Sequence, residues 1–299
     1  MGLALDLFGF RALWSPYYFF AMVLLAAGYL LITGPWLHKF KGSEPVPVKK
    51  KIYFLSGVAL LYIVKGSPMD LMGHLMFSMH MTQMALLYLA IPPLLLLGTP
   101  AWFIKWMFNF RPLKKSVWFL TNPLLAILLF NGFFSLYHLP QVFDRVKTDM
   151  WVHGIYTTVL FIFALAMWWL IVDPLPEWQR LSELKKIAYM FANGVLITPA
   201  CALLIFAETP LFATFTDPAL FTESLKLCVP AGTLSGLSIS GPELFSIFPI
   251  MEDQQLGGIV MKFMQEIIYG MAIGYTFFAW SRRERKEEQE EINNMKPVL

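Results

Sequence analysis

Histidine and methionine crowd into one stretch of this chain in a pattern suited to soft-metal chemistry. Six of the 17 methionines, at 69, 72, 76, 79, 81 and 84, fall within sixteen residues and are interleaved with His74 and His80. Met72, Met76, His80 and Met84 follow an i, i+4 spacing, which on one continuous helix sets them along a single slowly drifting face. Thioether and imidazole together suit Cu(I) better than zinc, calcium or magnesium. A methionine stripe is also a common filling for a helix-bundle core, so the spacing by itself leaves the structural reading open.

Three further histidines complete the set. His138 and His153 are expected at the same end of the molecule as His74 and His80, whereas His38, beside Lys39 and Lys41, is expected at the opposite interface. If residues 74–80 are one helix, His80 lies about 9 Å deeper than His74 at 1.5 Å per residue. An imidazole at that depth in a membrane is costly unless it faces a partner or a cavity, which makes His80 a site by default. The two cysteines, Cys201 and Cys228, lie 27 residues apart with no CxxC spacing, which excludes a cysteine zinc site and a thioredoxin-type motif.

A second anomaly stands near the end of the chain. Lys262 and Glu266 are four residues apart in an otherwise apolar run, and each would cost roughly 2.5–3.5 kcal/mol at mid-membrane if left alone. Their spacing lets them pair on one helix face, as a lock for the bundle or as a group that handles a proton or cation. Just before them, Glu252, Asp253, Gln254 and Gln255 put polar groups at an outer mouth, and Gly257 and Gly258 permit close helix approach.

The elements that position these residues follow from composition. Of the 299 residues 57% are hydrophobic and only 14% charged, with mean hydropathy +0.58. A soluble domain carries roughly 25% charged residues, so this composition excludes a soluble globular enzyme, a disordered chain and a disulfide scaffold. What fits is an all-α polytopic membrane protein. Seven apolar runs predict seven transmembrane helices, near 15–36, 52–66, 75–98, 117–137, 151–172, 186–207 and 257–280. The first apolar stretch, from about Ala12, lacks the basic start and small-residue end of a cleavable signal and is expected to remain as a span.

Basic residues set the orientation. Seventeen fall in the loops after spans one, three and five and in the tail, against five on the other side, with Lys262 inside span seven. The richer side is the cytoplasmic one, which puts the amino terminus outside, the carboxyl terminus inside and the four clustered histidines on the outer face. Residues 208–256 are then an outer loop. Its stretch from Leu225 to Phe248 is broken by Pro230, Gly232, Gly236, Gly241 and Pro242 and reads as loop or re-entrant segment rather than as an eighth span. Residues 281–299 form a charged cytoplasmic tail, a solvated helix extension that anchors span seven.

Familiar enzyme motifs are absent: the chain has no Walker loop, G-x-S-x-G, H-E-x-x-H or GxGxxG. Its basic residues are spread along the loops rather than gathered in a groove, which argues against nucleic acid as a partner.

Three blocks carry a resemblance. FSMHMTQMALLYLAIPPLLLLGTP from Phe77 to Pro100, YHLPQVFD from Tyr137 to Asp144 with His153 after it, and EDQQLGGIVMKFMQEIIYG from Glu252 to Gly270 are similar to the CtaG family of cytochrome c oxidase assembly factors. The likeness covers nearly the whole chain and is greatest to the caa-type oxidase branch of Gram-positive bacteria. It implies a multi-pass plasma-membrane protein, not an enzyme, needed to form active oxidase and related to its copper centres. Within the family pattern His80 matches the H-M-x-Q histidine, His138 the H-L-P histidine and His153 the histidine opening the next span. Asp253 and Gln254 match the D-Q before the paired glycines. This chain departs where many members read Q-H-M, since it has Gln83-Met84-Ala85 and lacks that histidine.

The leading expectation is an outer-face site built from His80 and His153 with His74, His138 and Met84. It holds Cu(I) and passes it to an oxidase subunit, with Asp253 and Gln254 admitting the cation or orienting a histidine. Other readings stay open: a redox protein with His80 and His153 as axial haem ligands, a metal-free scaffold for an oxidase subunit, and a copper permease.

Overall fold

Proline and capping side chains decide where the helices begin. Pro16, Pro68, Pro123, Pro140 and Pro218 each sit in the first turn of a helix, where a missing N–H has no partner to lose. Ser67, Asn122, Asp149 and Asp217 accept hydrogen bonds from the exposed N–H groups of the turns that follow them. The computed structural model describes residues 5–234, Gly241, Phe245 and 247–295, and among these it contains helices and no strand. The principal helices are α1 (Pro16–Ile32), α2 (Val48–Gly66), α3 (Pro68–Leu75), α4 (Phe77–Gly98), α5 (Arg111–Leu120), α6 (Pro123–Tyr137), α7 (Pro140–Thr148), α8 (Met150–Val172), α9 (Glu183–Ile205), α10 (Pro218–Leu225) and α11 (Ile250–Met295).

Four of these, α4, α8, α9 and α11, are long and apolar enough to cross a membrane alone. The pairs α2 with α3 and α5 with α6 add two more if each is one span, bent by 48° and 78°. α1 is apolar but only 17 residues long. The segment near 117–137, read above as one span, therefore divides at Asn122. Pro123 brings no N–H to continue the ladder, and the Asn122 side chain caps the new helix instead. Beyond α10, residues Ala231–Leu234 make one short turn, while Gly236, Pro242 and the tail from Lys296 lie outside the described residues.

The methionine stripe also divides. Met76 is extended (φ −132°, ψ 136°), so α3 ends at Leu75 and α4 begins at Phe77. Met72, Met76, His80 and Met84 do not share a helix face as their spacing suggests. Met76, with Met72 beside it, packs in a second, smaller cluster with Phe8, Leu71, Leu75, Phe221 and Leu225, whereas Met81 and Met84 belong to the main core. Tertiary packing of the segments before and after Met76 overrides the regular spacing, and the 9 Å step along one helix from His74 to His80 does not apply.

α4 is the most buried of the four long helices. Its first half packs on α11 and its second half on α2 and α8. Pro92 and Pro93 withdraw two N–H groups, and the helix widens into a π turn at Leu86–Ala90 just ahead of them. α11 fits between α4 and α9 through adjacent glycines. A Cβ on Gly257 would stand 2.7 Å from the Phe77 ring, and one on Gly258 would stand 3.2 Å from the Cys201 carbonyl oxygen. Between α6 and α9 the buried Asn131 donates to Asn193 across 2.9 Å, a polar clasp in an otherwise apolar interface.

Candidate functional site

The ends of α3, α6 and α7 meet the starts of α4 and α8, and this junction gathers four histidines in three different states. His74 on α3 is buried with its Nδ1 3.1 Å from Lys147 Nζ, and that amine also donates to the Gly73 carbonyl at 3.1 Å. Lysine nitrogen donates, so His74 Nδ1 accepts and the ring proton sits on Nε2. His138, just after α6, is wholly buried. Its Nδ1 donates to the Phe134 carbonyl at 2.7 Å, which turns the Nε2 lone pair toward Met81 Sδ at 3.3 Å.

His80 differs from both. It is 3% exposed, and neither ring nitrogen has a hydrogen-bond partner. Aromatic rings surround it: Tyr137 stacks at 5.7 Å, Phe143 stands edge-on at 5.3 Å and Phe77 is tilted at 6.0 Å, all between ring centroids. The Tyr137 hydroxyl and His153 Nδ1 are likewise buried without partners. These three groups line one cavity, so their free polar atoms face a common space.

Two cavities open onto these side chains. One, of ≈ 330 Å³, is lined by Lys65, Asp70, His74, His153 and Cys228 among others. The second, of ≈ 230 Å³, is lined by His80, Gln83, Met84, Tyr137 and His153 among others. Lys65 and His153 line both, so the two chambers share a wall. Lys65 is tied to Asp70 at 2.6 Å, and Gln83 Nε2 holds the same carboxylate at 2.7 Å and the Val64 carbonyl at 2.8 Å. Burial pushes the Lys147 ammonium down to about 7, so near neutral pH part of the population carries no charge there.

The structure thus brings His80, Met84 and His153 to one chamber and His74 with His153 to the other. It sets His138 apart, facing Met81. Among the described residues no three His, Cys, Asp or Glu side chains converge closely enough to hold a metal ion. The donor set of His80, Met84 and His153 is neutral nitrogen and sulfur, open and of low number, which is unlike the oxygen cages of calcium and magnesium or the closed tetrahedra of structural zinc.

The other residues singled out above take structural positions. Asp253 reaches from α11 to the start of α4, where it accepts from the Phe77 N–H at 2.6 Å, from the Ser78 N–H at 3.4 Å and from the Ser78 hydroxyl. A buried carboxylate there complements both the free N–H groups and the helix dipole. Gln254 accepts from the Leu211 N–H at 2.7 Å and holds the loop after α9. Lys262 Nζ lies 2.6 Å from Glu266 and also donates to Thr198 at 3.1 Å. Asp253→Ala is expected to destabilise the protein by about 1–2 kcal/mol, as loss of a cap does, and Asp253→Asn by less. Thermal unfolding of the two variants in detergent checks this, and an unchanged midpoint for Asp253→Ala would contradict the capping role.

Lys147, Asp70, Gln83 and Tyr137 were not foreseen as parts of the junction. For Lys147 a signal existed. On a helix over 140–148 it shares a face with Phe143 and Val146, and all three are buried. For Asp70, Gln83 and Tyr137 the partners lie on other segments, and no local pattern announces them.

The chain matches the family described as cytochrome c oxidase caa3 assembly factor (Caa3_CtaG) over residues 27–283. Uncharacterized proteins of Mycobacterium bovis and Mycobacterium tuberculosis are each 27% identical over 281 residues, covering 89% of this chain and 39% of theirs. An uncharacterized protein of Mycobacterium leprae is 22% identical over 284 residues, covering 88% of this chain and 38% of its own length. The chain therefore spans about two fifths of the length of these relatives. No solved structure matches it.

Proposed function

Since the chain belongs to the family of cytochrome c oxidase caa3 assembly factors, we propose that it serves oxidase assembly by holding Cu(I) in transit, in the chamber lined by His80, Met84 and His153. The observation that carries this reading is His80, a buried imidazole with two unpartnered nitrogens that lines the same chamber as Met84. The protein is a non-enzymatic carrier in this reading, and the ion is its cargo. It is a multi-pass plasma-membrane protein with seven spans, α1 and the two bent pairs counted, its amino terminus outside and the histidine end on the outer face.

The residues of the site divide the work. His80, Met84 and His153 bind by neutral lone pairs, so no proton need leave a carboxylic acid or thiol before the ion is taken up. The Lys65–Asp70 pair neutralises itself next to the chamber wall. Phe77, Phe143 and Tyr137 pack around the His80 ring, and this apolar wall favours a soft, weakly hydrated ion over a hard one. His153 lines both chambers, and exchange of one ligand for another there would carry the ion from the first chamber to the second and then to an oxidase subunit.

Anaerobic titration of the purified protein with Cu(I) against a competing chelator tests the proposal, with wild type and His80→Ala side by side and optical spectra recorded. One tightly held Cu(I) in wild type, weakened at least tenfold in the variant, about 1.4 kcal/mol, is the expected result. Equal binding by both would remove His80 from the site. No binding by either would overturn the copper reading in favour of a metal-free scaffold, and haem bands in the wild type would overturn it in favour of axial haem ligation.

A further inference from the structure

Away from the histidines, one face of α11 is left uncovered by the rest of the chain. Phe263, Ile267, Met271 and Phe278 are exposed along it, Gly270 and Gly274 lie among them, and Glu266 stands at its edge. A Cβ built on Gly270 or Gly274 would meet nothing within 4 Å, so the helix backbone is bare at both. Glu266 stands nine residues after Gly257 and fourteen before Trp280, about 14 Å and 21 Å along the axis at 1.5 Å per residue, well inside the apolar run. Its side chain is 60% exposed.

A carboxylate directed sideways from the apolar run of a spanning helix meets hydrocarbon unless another protein covers it. Lys262 pairs with one oxygen, but its ammonium is drawn inward by Thr198 and by Gln265 at 2.9 Å, which leaves the outward side of Glu266 open. One turn further on, the Gly270-x-x-x-Gly274 spacing is the one that lets two membrane helices approach backbone to backbone.

We infer that this face of α11 is the docking surface for a transmembrane helix of a different protein. That helix presents small residues opposite Gly270 and Gly274 and a hydrogen-bond donor, from a hydroxyl, amide or basic side chain, at the level of Glu266. Lipid does not meet this requirement, because acyl chains have no donor. A second copy fits worse than a different protein, because a two-fold axis at the glycines brings two Glu266 carboxylates toward each other in a low-dielectric medium. Membership of an assembly-factor family makes the partner a membrane-spanning oxidase subunit. The inference uses that membership and not the copper reading, so it stands or falls apart from the titration above.

The test places the photo-crosslinking residue benzoylphenylalanine at Met271 in the full chain, in cells that make the caa3-type oxidase. Phe191 on α9, 69% exposed, is the control position. Irradiation is expected to give an adduct with a membrane-spanning oxidase subunit from position 271 and none from position 191. Adding Gly270→Leu should lower the adduct at least tenfold with no change in the yield or unfolding of the protein, since the space around that glycine is open. Lipid adducts alone, adducts between two copies, or an oxidase adduct equally strong at both positions would each overturn the inference.

Discussion

Replacing His80 with leucine is expected to make the protein more stable and useless for oxidase assembly. In the folded chain this imidazole is buried among Phe77, Phe143 and Tyr137, with neither nitrogen bonded. A buried polar group without a partner costs about 1–3 kcal/mol, and an apolar side chain of similar size removes that cost while keeping most of the packing. His138 is the control. Its Nδ1 bond to Phe134 and its contact with Met81 would be lost in His138→Leu, leaving a carbonyl unpaired, so that change should destabilise by a similar amount. Thermal unfolding of both variants, together with oxidase activity in membranes of cells carrying them, reads the two effects separately. If His80→Leu lowers the midpoint as His138→Leu does, His80 is a structural histidine and the chamber loses its principal ligand. Opposite shifts, with oxidase activity lost in His80→Leu, are the pattern of a residue kept for function at the expense of stability.

The second large effect is expected at Gly98, at the far end of the same helix. A Cβ there would fall 2.4 Å from the Phe54 backbone nitrogen and 2.7 Å from its Cα, so relief requires α2 to move rather than a side chain to turn. α1 is tied to the same point: Tyr29 donates to the Gly98 carbonyl at 2.8 Å, and its ring stacks on Phe54 at 3.9 Å. Overpacking typically costs about 1–3 kcal/mol, and a clash of backbone on backbone lies at or above the upper end. Gly98→Ala should therefore leave little folded protein in the membrane. Gly132→Ala, where the new methyl meets nothing within 4 Å, should be neutral or stabilising by up to about 1 kcal/mol. Comparing the amount and unfolding midpoint of the two purified variants decides the point, and equal yields would show that α1 and α2 are not held by this contact.

The helical class was legible because it rests on local properties: long apolar runs, loop charge, and prolines and caps at the starts of runs. Breaks inside runs were harder to read. Asn122–Pro123 does carry a start signal, and the division of the 117–137 run could have been taken from it. The break at Met76 carries none, since Leu75, Met76 and Phe77 are as apolar as their neighbours. Only the packing of α3 against α4, with Asp253 capping the latter, turns a regular methionine spacing into two unrelated sets.

By itself the sequence determined that the chain is helical and apolar, that its oxidase-assembly blocks stand in order, and that Lys262 and Glu266 interrupt an apolar run. Each of these is a property of neighbouring residues, and hydropathy and spacing report such properties directly. The tertiary structure alone decided which polar groups find partners. His138 obtains its carbonyl from the preceding turn, while His80 obtains nothing. Lys147 reaches His74 from 73 residues away, and Asp253 is a cap because α4 begins beside it, 176 residues earlier in the chain. The reason is geometric: whether a buried nitrogen or carboxylate is bonded depends on distances of about 3 Å between remote segments, and those are set by how helices cross rather than by the order of residues along them.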